Sequence, residues 1–281
     1  MIAVSNLTKL YGKKYGIKDV SFTVKKGEIC GFVGQNGAGK STAIRTLMNM
    51  IFPTDGAARI DGLDCVADAK LVKRAVGYVP GEVAYYEGSR VSAILSYAAE
   101  FADGAQKEIA GLCEYFELDT SRRISELSLG NRKKVGIVQA LIKNPRLMIL
   151  DEPTNGLDPL IQEKLFKLLR EKRDAGMTVF LSSHNLAEVE KYCDRVLIIK
   201  DGAIVDEFDL NERRKNSKLK VAYTTADGKN TVLSYGGDIN ELLKTLSAKK
   251  ITTITITPES LEEEFMKYYY TGTQGAEDEK L

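Results

Sequence analysis

The stretch Glu28-Ile-Cys-Gly-Phe-Val33, then Gly34-Gln-Asn-Gly-Ala-Gly-Lys40-Ser41, then Thr42 to Met50, decides the fold. Glu28 to Val33 is short and mostly apolar, and from Thr42 the apolar residues return at helical spacing, so the order is strand, glycine-rich loop, helix. In that setting Gly34 to Ser41 fits GxxxxGK[ST], a pattern that counts only between a strand and a helix. Gly37 and Gly39 can take backbone angles closed to other residues, which lets successive N–H groups curl around a phosphate at the positive end of the following helix. The predicted phosphate-binding set is Gly34, Asn36, Gly37, Ala38, Gly39, Lys40, Ser41 and Thr42. Lys40 is expected to neutralise the terminal phosphates, and Ser41 to place its hydroxyl on Mg²⁺, which favours phosphate and water oxygens over an all-protein cage.

Outward from this loop, apolar runs at Leu147 to Leu150 and Val179 to Leu181 flank a helical stretch from Leu160 to Ala175. That alternation predicts a parallel sheet covered by helices. Ile2 to Leu7 and Val20 to Val24 alternate apolar and polar residues, which predicts antiparallel strands at a sheet margin. Gly88 to Lys143 reads as an inserted, mostly helical lobe. After Leu210 a charged run, Asn211 to Lys220, precedes Thr- and Ile-rich strands, a hairpin signal at Ala226 to Asn230 and a helix near Ile239 to Ala248. The expected organisation is an α/β core over residues 1–210 with a helical subdomain at about 88–143, a small α+β unit over 211–272, and a disordered tail at 273–281.

Leu147 to Leu150 runs directly into Asp151-Glu152, which places both carboxylates at the carboxyl edge of a parallel sheet, where ligands bind. Asp151 suits the Mg²⁺ shell, and Glu152 suits a general base that orients and deprotonates the attacking water. His184, the single histidine of the chain, follows the Val179 to Leu181 run and belongs at the same edge, within expected reach of a γ-phosphate. A lone histidine is more often structural than catalytic, so its position rather than its type makes it a candidate.

Basic and acidic residues number 40 and 39, a formal charge of +1 that gives no global attraction to nucleic acid or anionic lipid. Cys30, Cys65, Cys113 and Cys193 are far apart with no CxxC pair, which fits buried, reduced thiols rather than a zinc site. No run approaches the roughly 20 apolar residues of a membrane helix, and the first residues lack a signal peptide's apolar segment. A soluble, intracellular chain is expected.

Between the phosphate loop and Asp151 stands Leu127-Ser128-Leu129-Gly130-Asn131, and with it the chain resembles the ABC ATPase family, whose LSGGQ signature lies there. Pro153 to Asp158 (PTNGLD) is similar to the family's D-loop, and His184 stands at its H-loop position. The resemblance covers about residues 1–210. It implies a P-loop ATPase core and a head-to-tail dimer in which Ser128 and Gly130 of one subunit contact the γ-phosphate held by the other, with the helix Asn131 to Ile142 aiming its positive end there. It also implies nucleotide contacts from Asp158 and from Tyr11, the latter stacking on adenine. The partners implied are an integral membrane permease encoded separately and a second, identical or similar ATPase subunit, at the cytoplasmic face of the cell membrane. The ending Pro258-Glu-Ser-Leu-Glu-Glu-Glu-Phe265-Met-Lys-Tyr-Tyr is similar to ATPases of two-component antibiotic, lantibiotic and drug exporters. Leu261, Phe265 and Tyr268 also read simply as the apolar stripe of a final helix.

The chain departs from the family at Leu129 and Asn131, where Gly and Gln are usual, and after Gly77-Tyr78-Val79-Pro80. There Gly81 and Glu82 stand where the Q-loop glutamine is expected. Glu82 is the candidate substitute for the metal contact, in a shifted register, and slower basal turnover is expected. Three functions fit: an exporter ATPase, a soluble ABC protein acting on ribosomes or DNA, and an ATP-dependent switch with weak hydrolysis. The second ordinarily brings long coiled coils or two ATPase cores in one chain, and neither is present here.

Overall fold

The computed structural model describes residues 1–101, 105–215 and 218–258 together with Glu262, Phe265, Met266 and Tyr268. The predicted tail and Leu261 lie outside the described residues. The chain forms two compact units, Met1–Glu207 and Phe208–Leu281.

The first unit begins with β1 (Ile2–Tyr11), β2 (Lys14–Val24), β3 (Ile29–Val33), α1 (Lys40–Leu47), β4 (Asp55–Ile60), β5 (Leu63–Asp64), α2 (Ala69–Ala75) and β6 (Val76–Val79). The helical lobe follows, with α3 (Val91–Ala99), α4 (Ala105–Tyr115) and α5 (Leu129–Leu141). Then come β7 (Leu147–Asp151), α6 (Pro159–Asp174), β8 (Thr178–Ser183), α7 (Leu186–Tyr192), β9 (Arg195–Lys200) and β10 (Ala203–Asp209). A six-stranded sheet runs β10-β9-β3-β8-β7-β6, with β3 parallel to both β8 and β9 and β7 parallel to β6 and β8. Every residue of β3, β7 and β8 is buried, as in a parallel sheet covered on both faces.

The two N-terminal strands are not at the margin of this sheet. They form a separate antiparallel sheet, β2-β1-β4-β5, in which Ile2 pairs with Ile60. It is keyed to the parallel sheet by Phe22, Phe32 and Phe180, whose ring centroids are 5.4 to 5.7 Å apart. Ala43, Ile44 and Leu47 of α1 join the same buried core. Helix α1 ends three residues before the predicted Met50, and Asn49 there takes the left-handed conformation, φ 45°, which stops a helix.

In the second unit the charged run carries a short helix, α8 (Leu210–Lys215), before β11 (Leu219–Thr225). With β12 (Asn230–Tyr235) and β13 (Ile251–Pro258) it builds an antiparallel sheet ordered β12-β11-β13. Leu242 and Leu246 of α9 (Ile239–Ser247) pack on Val221 and Tyr223 of that sheet. Phe265 is buried and Tyr268 half-buried.

Candidate active site

Strands β3, β8 and β7 are neighbours, so the three segments leaving their carboxyl ends meet at one edge. From β3 comes the Gly34–Ser41 loop. Gly37 and Gly39 take φ of 85° and 109°, and a side chain at Gly39 would meet the Gly16 carbonyl oxygen at 2.6 Å, so residue 39 must be glycine on both counts. The loop closes on Lys40, whose side chain is 6% exposed and whose Nζ donates to the Gly34 carbonyl (2.6 Å) and the Gln35 carbonyl (3.3 Å). The same Nζ stands 3.2 Å from Glu152 Oε1.

From β7 come Asp151 and Glu152. Asp151 is buried, and its Oδ1 accepts from Ser182 Oγ at 2.6 Å. Ser182 Oγ in turn accepts from the Glu152 main-chain N–H at 3.0 Å. Glu152 turns the chain with φ 47°, a left-handed conformation rare for a side chain of its size. Its Oε2 lies 2.7 Å from His184 Nδ1, while its buried Oε1 has no hydrogen-bond partner beyond the Lys40 approach. His184, half exposed, thus sits against the carboxylate predicted to act as base.

The loop and Glu152 line a cleft of about 340 Å³ that also holds Tyr11, Lys14, Tyr15, Gly16, Asn36, Ser41 and Thr42. Tyr11 is half exposed, and Lys9 Nζ lies 5.5 Å from its ring centroid. A side chain at Gly16 would meet Tyr11 Cε2 at 2.7 Å and Thr42 Cγ2 at 3.0 Å, so glycine there lets the hairpin tip close on the loop. Lys14, Tyr15 and Gly16 escape the sequence reading, although Tyr15 follows Tyr11 within the same short hairpin.

The signature helix starts at Leu129, not Asn131, because Ser128 caps it by accepting from the Asn131 N–H at 3.3 Å. Ser128 and Leu129 are exposed. A side chain at Gly130 would stand 2.3 Å from the Gly156 carbonyl oxygen, so within one chain glycine is required there by the loop after β7. Asp158 acts locally as the cap of α6, accepting from the Ile161 N–H at 3.1 Å. Glu82 is exposed, and the residue lying against Asp151 is Gly81, whose hypothetical Cβ would be 3.4 Å from Asp151 Oδ2. Carbonyls 80 and 81 accept from Lys133 Nζ at 2.9 and 2.8 Å, a group sequence reading does not single out. Burial brings the Lys133 ammonium down to about 8, opposed by the Asp151 and Glu152 carboxylates.

A phosphate loop, a paired Asp and Glu on the adjacent strand system, and a histidine on the carboxylate define the class: a nucleoside triphosphate hydrolase of the P-loop type. The ABC transporter family profile matches residues 17–155. Bacitracin transport ATP-binding protein BcrA of Bacillus licheniformis is 30% identical over 308 residues, spanning 98% of this chain and 99% of that protein. Nod factor export ATP-binding protein I of Rhizobium etli is 34% identical over 212 residues, spanning 73% of this chain and 67% of that one. A solved ATP-binding cassette, a dimer in a post-hydrolysis state with ADP and Pi, superposes with a TM-score of 0.68 at 26% identity, covering 75% of this chain and 99% of the other. The chain belongs to the ATP-binding subunits of ABC transporters. It binds and hydrolyses ATP and powers transport through a separate membrane component. Among the described residues no helix is long and apolar enough to cross a membrane.

Proposed function

We propose that this chain drives export of a drug, peptide or lipid-like molecule, working at the cytoplasmic face of the cell membrane beneath a separately encoded permease. The Nod factor export protein to which it is similar supports the export direction. A near-neutral charge favours membrane-protein partners over nucleic acid.

The observation that carries the catalytic reading is the line Lys40–Glu152–His184, with Glu152 touched by a cation at 3.2 Å and an imidazole at 2.7 Å. Lys40 binds the terminal phosphate, Glu152 takes the proton of the attacking water, and His184 holds the carboxylate in place. The donor set fits Mg²⁺: the buried Asp151 carboxylate and the Ser41 hydroxyl are hard oxygen ligands, and the buried Glu152 Oε1 meets no partner beyond the Lys40 ammonium. Bound there, Mg²⁺ supplies neutralising charge for the terminal phosphates. Ser128 and Gly130, at the exposed start of α5, meet the phosphate of a second ATPase subunit, identical or similar, and Tyr11 stacks on adenine.

The test is Glu152→Gln. Abolished phosphate release, with ATP trapping a stable dimer in size-exclusion chromatography, supports the mechanism; unchanged release removes Glu152 as base.

A further inference from the structure

Lys133 lies on α5, five positions beyond Ser128, with 2% of its surface exposed. Its ammonium donates to three main-chain carbonyls: Pro80 at 2.9 Å, Gly81 at 2.8 Å and Asp151 at 3.4 Å. A lysine has three N–H donors, and leaving any of them unpaired in a buried setting is costly, so three acceptors complete the group. Those acceptors come from two places, the segment that follows β6 and the end of β7. One buried charge therefore joins the signature helix to both.

The loop that Lys133 holds is also the one that lies on Asp151. With a hypothetical Cβ at Gly81 only 3.4 Å from Asp151 Oδ2, it is the backbone of this loop that approaches the carboxylate, and glycine sends no side chain toward it. The position of that loop, and of the Asp151 carbonyl, is thus fixed from α5.

We propose that Lys133 is a positioning residue for the metal-binding carboxylate, clamping the Pro80–Gly81 carbonyls and the end of β7 to the signature helix. This rests on the reading of Asp151 as the Mg²⁺ carboxylate. A shift of α5 carries the loop and the carboxylate environment with it, so the contact made by Ser128 and Gly130 and the metal site move as one body.

The test uses the full chain and the fluorescence of mant-ATP during Mg²⁺ titration, a binding readout independent of turnover. Lys133→Met should raise the Mg²⁺ concentration at half-saturation by about tenfold, the scale seen for groups that orient metal ligands. Its mant-ATP affinity in EDTA should stay within about twofold of the parent, and Lys133→Arg, which keeps a buried cation, should restore most of the midpoint. If Lys133→Met does not fold, Lys133→Gln, which keeps an N–H donor, should shift the midpoint the same way. An unchanged midpoint in the folded variant overturns the proposal, as does an equal loss of metal-free mant-ATP binding. Asp151→Asn separates the two layers: if that variant keeps the parental midpoint, the metal-carboxylate reading itself fails.

Discussion

Ser182 donates a 2.6 Å hydrogen bond from Oγ to Asp151 Oδ1, across strands in which these two residues are register partners. The same oxygen accepts from the Glu152 N–H, so one hydroxyl on β8 orders both acidic residues at the end of β7. Ser182→Ala should cost about 1–3 kcal/mol, the penalty for a buried acceptor left without its donor. Turnover should fall by more than ATP affinity measured without metal. Thermal melts and single-turnover assays on the same preparation check both.

Gly130→Ala should disturb two segments at once. The added carbon would stand 2.3 Å from the Gly156 carbonyl oxygen, which is backbone and cannot swing aside. An overpacking cost of about 1–3 kcal/mol is expected. Hydrogen exchange should quicken at Ser128–Asn131 and at Pro153–Asp158 together; acceleration at the first segment alone would show that the contact does not bind them.

Arg195 is a buried fastener between elements far apart in sequence. Its guanidinium, 6% exposed, meets Glu28 Oε1 at 2.6 Å, the Thr23 carbonyl at 2.5 Å, and Glu207. Replacing it with Met leaves the Glu28 carboxylate buried without its cation, a loss of about 3–5 kcal/mol. Urea denaturation should show a lower midpoint with an unchanged slope.

The four thiols should be inert in the folded protein. All are buried, and none is in a disulfide. Burial pushes Cys65 up to about 12, aided by Asp64, and raises Cys30 and Cys113. Only the thiolate reacts, so iodoacetamide at pH 8 should leave the native chain unmodified on a timescale that gives four adducts in denaturant. The sign for stability follows: the folded state keeps the Cys65 proton that the unfolded chain releases above its ordinary 9.0. Its contribution is therefore whole below about pH 9 and declines toward pH 12. A Cys65→Ala variant should lose less stability than the parent across that window.

The phosphate loop is legible because its meaning is local: eight residues dictate their own conformation. So are β7 and β8, whose apolar runs end in polar residues. The antiparallel sheet is not, because the Ile2–Ile60 pairing depends on chain returning from far away. One turn of that sheet does carry a signal in plain view, Asp61-Gly62 between β4 and β5, as does Asp201-Gly202 between β9 and β10 of the larger sheet; each has both residues at positive φ, the preferred dipeptide of a two-residue hairpin. Lys133 was hidden for a different reason. In Arg132-Lys133-Lys134 it reads as a solvated helix face, and only the packing of the 80–81 loop on α5 shows that the middle lysine is enclosed.

The left-handed turn at Glu152 sets folding against chemistry at one position. Holding a non-glycine residue at φ 47° costs about 1–2 kcal/mol that glycine would largely recover. With Glu152 as the base proposed above, a laboratory selection for heat resistance alone, blind to turnover, would reward glycine at position 152 and return hardy proteins that hold nucleotide without cleaving it. On that reading the side chain at this turn is a concession of stability to work, and position 152 is where a motor could be traded for a latch.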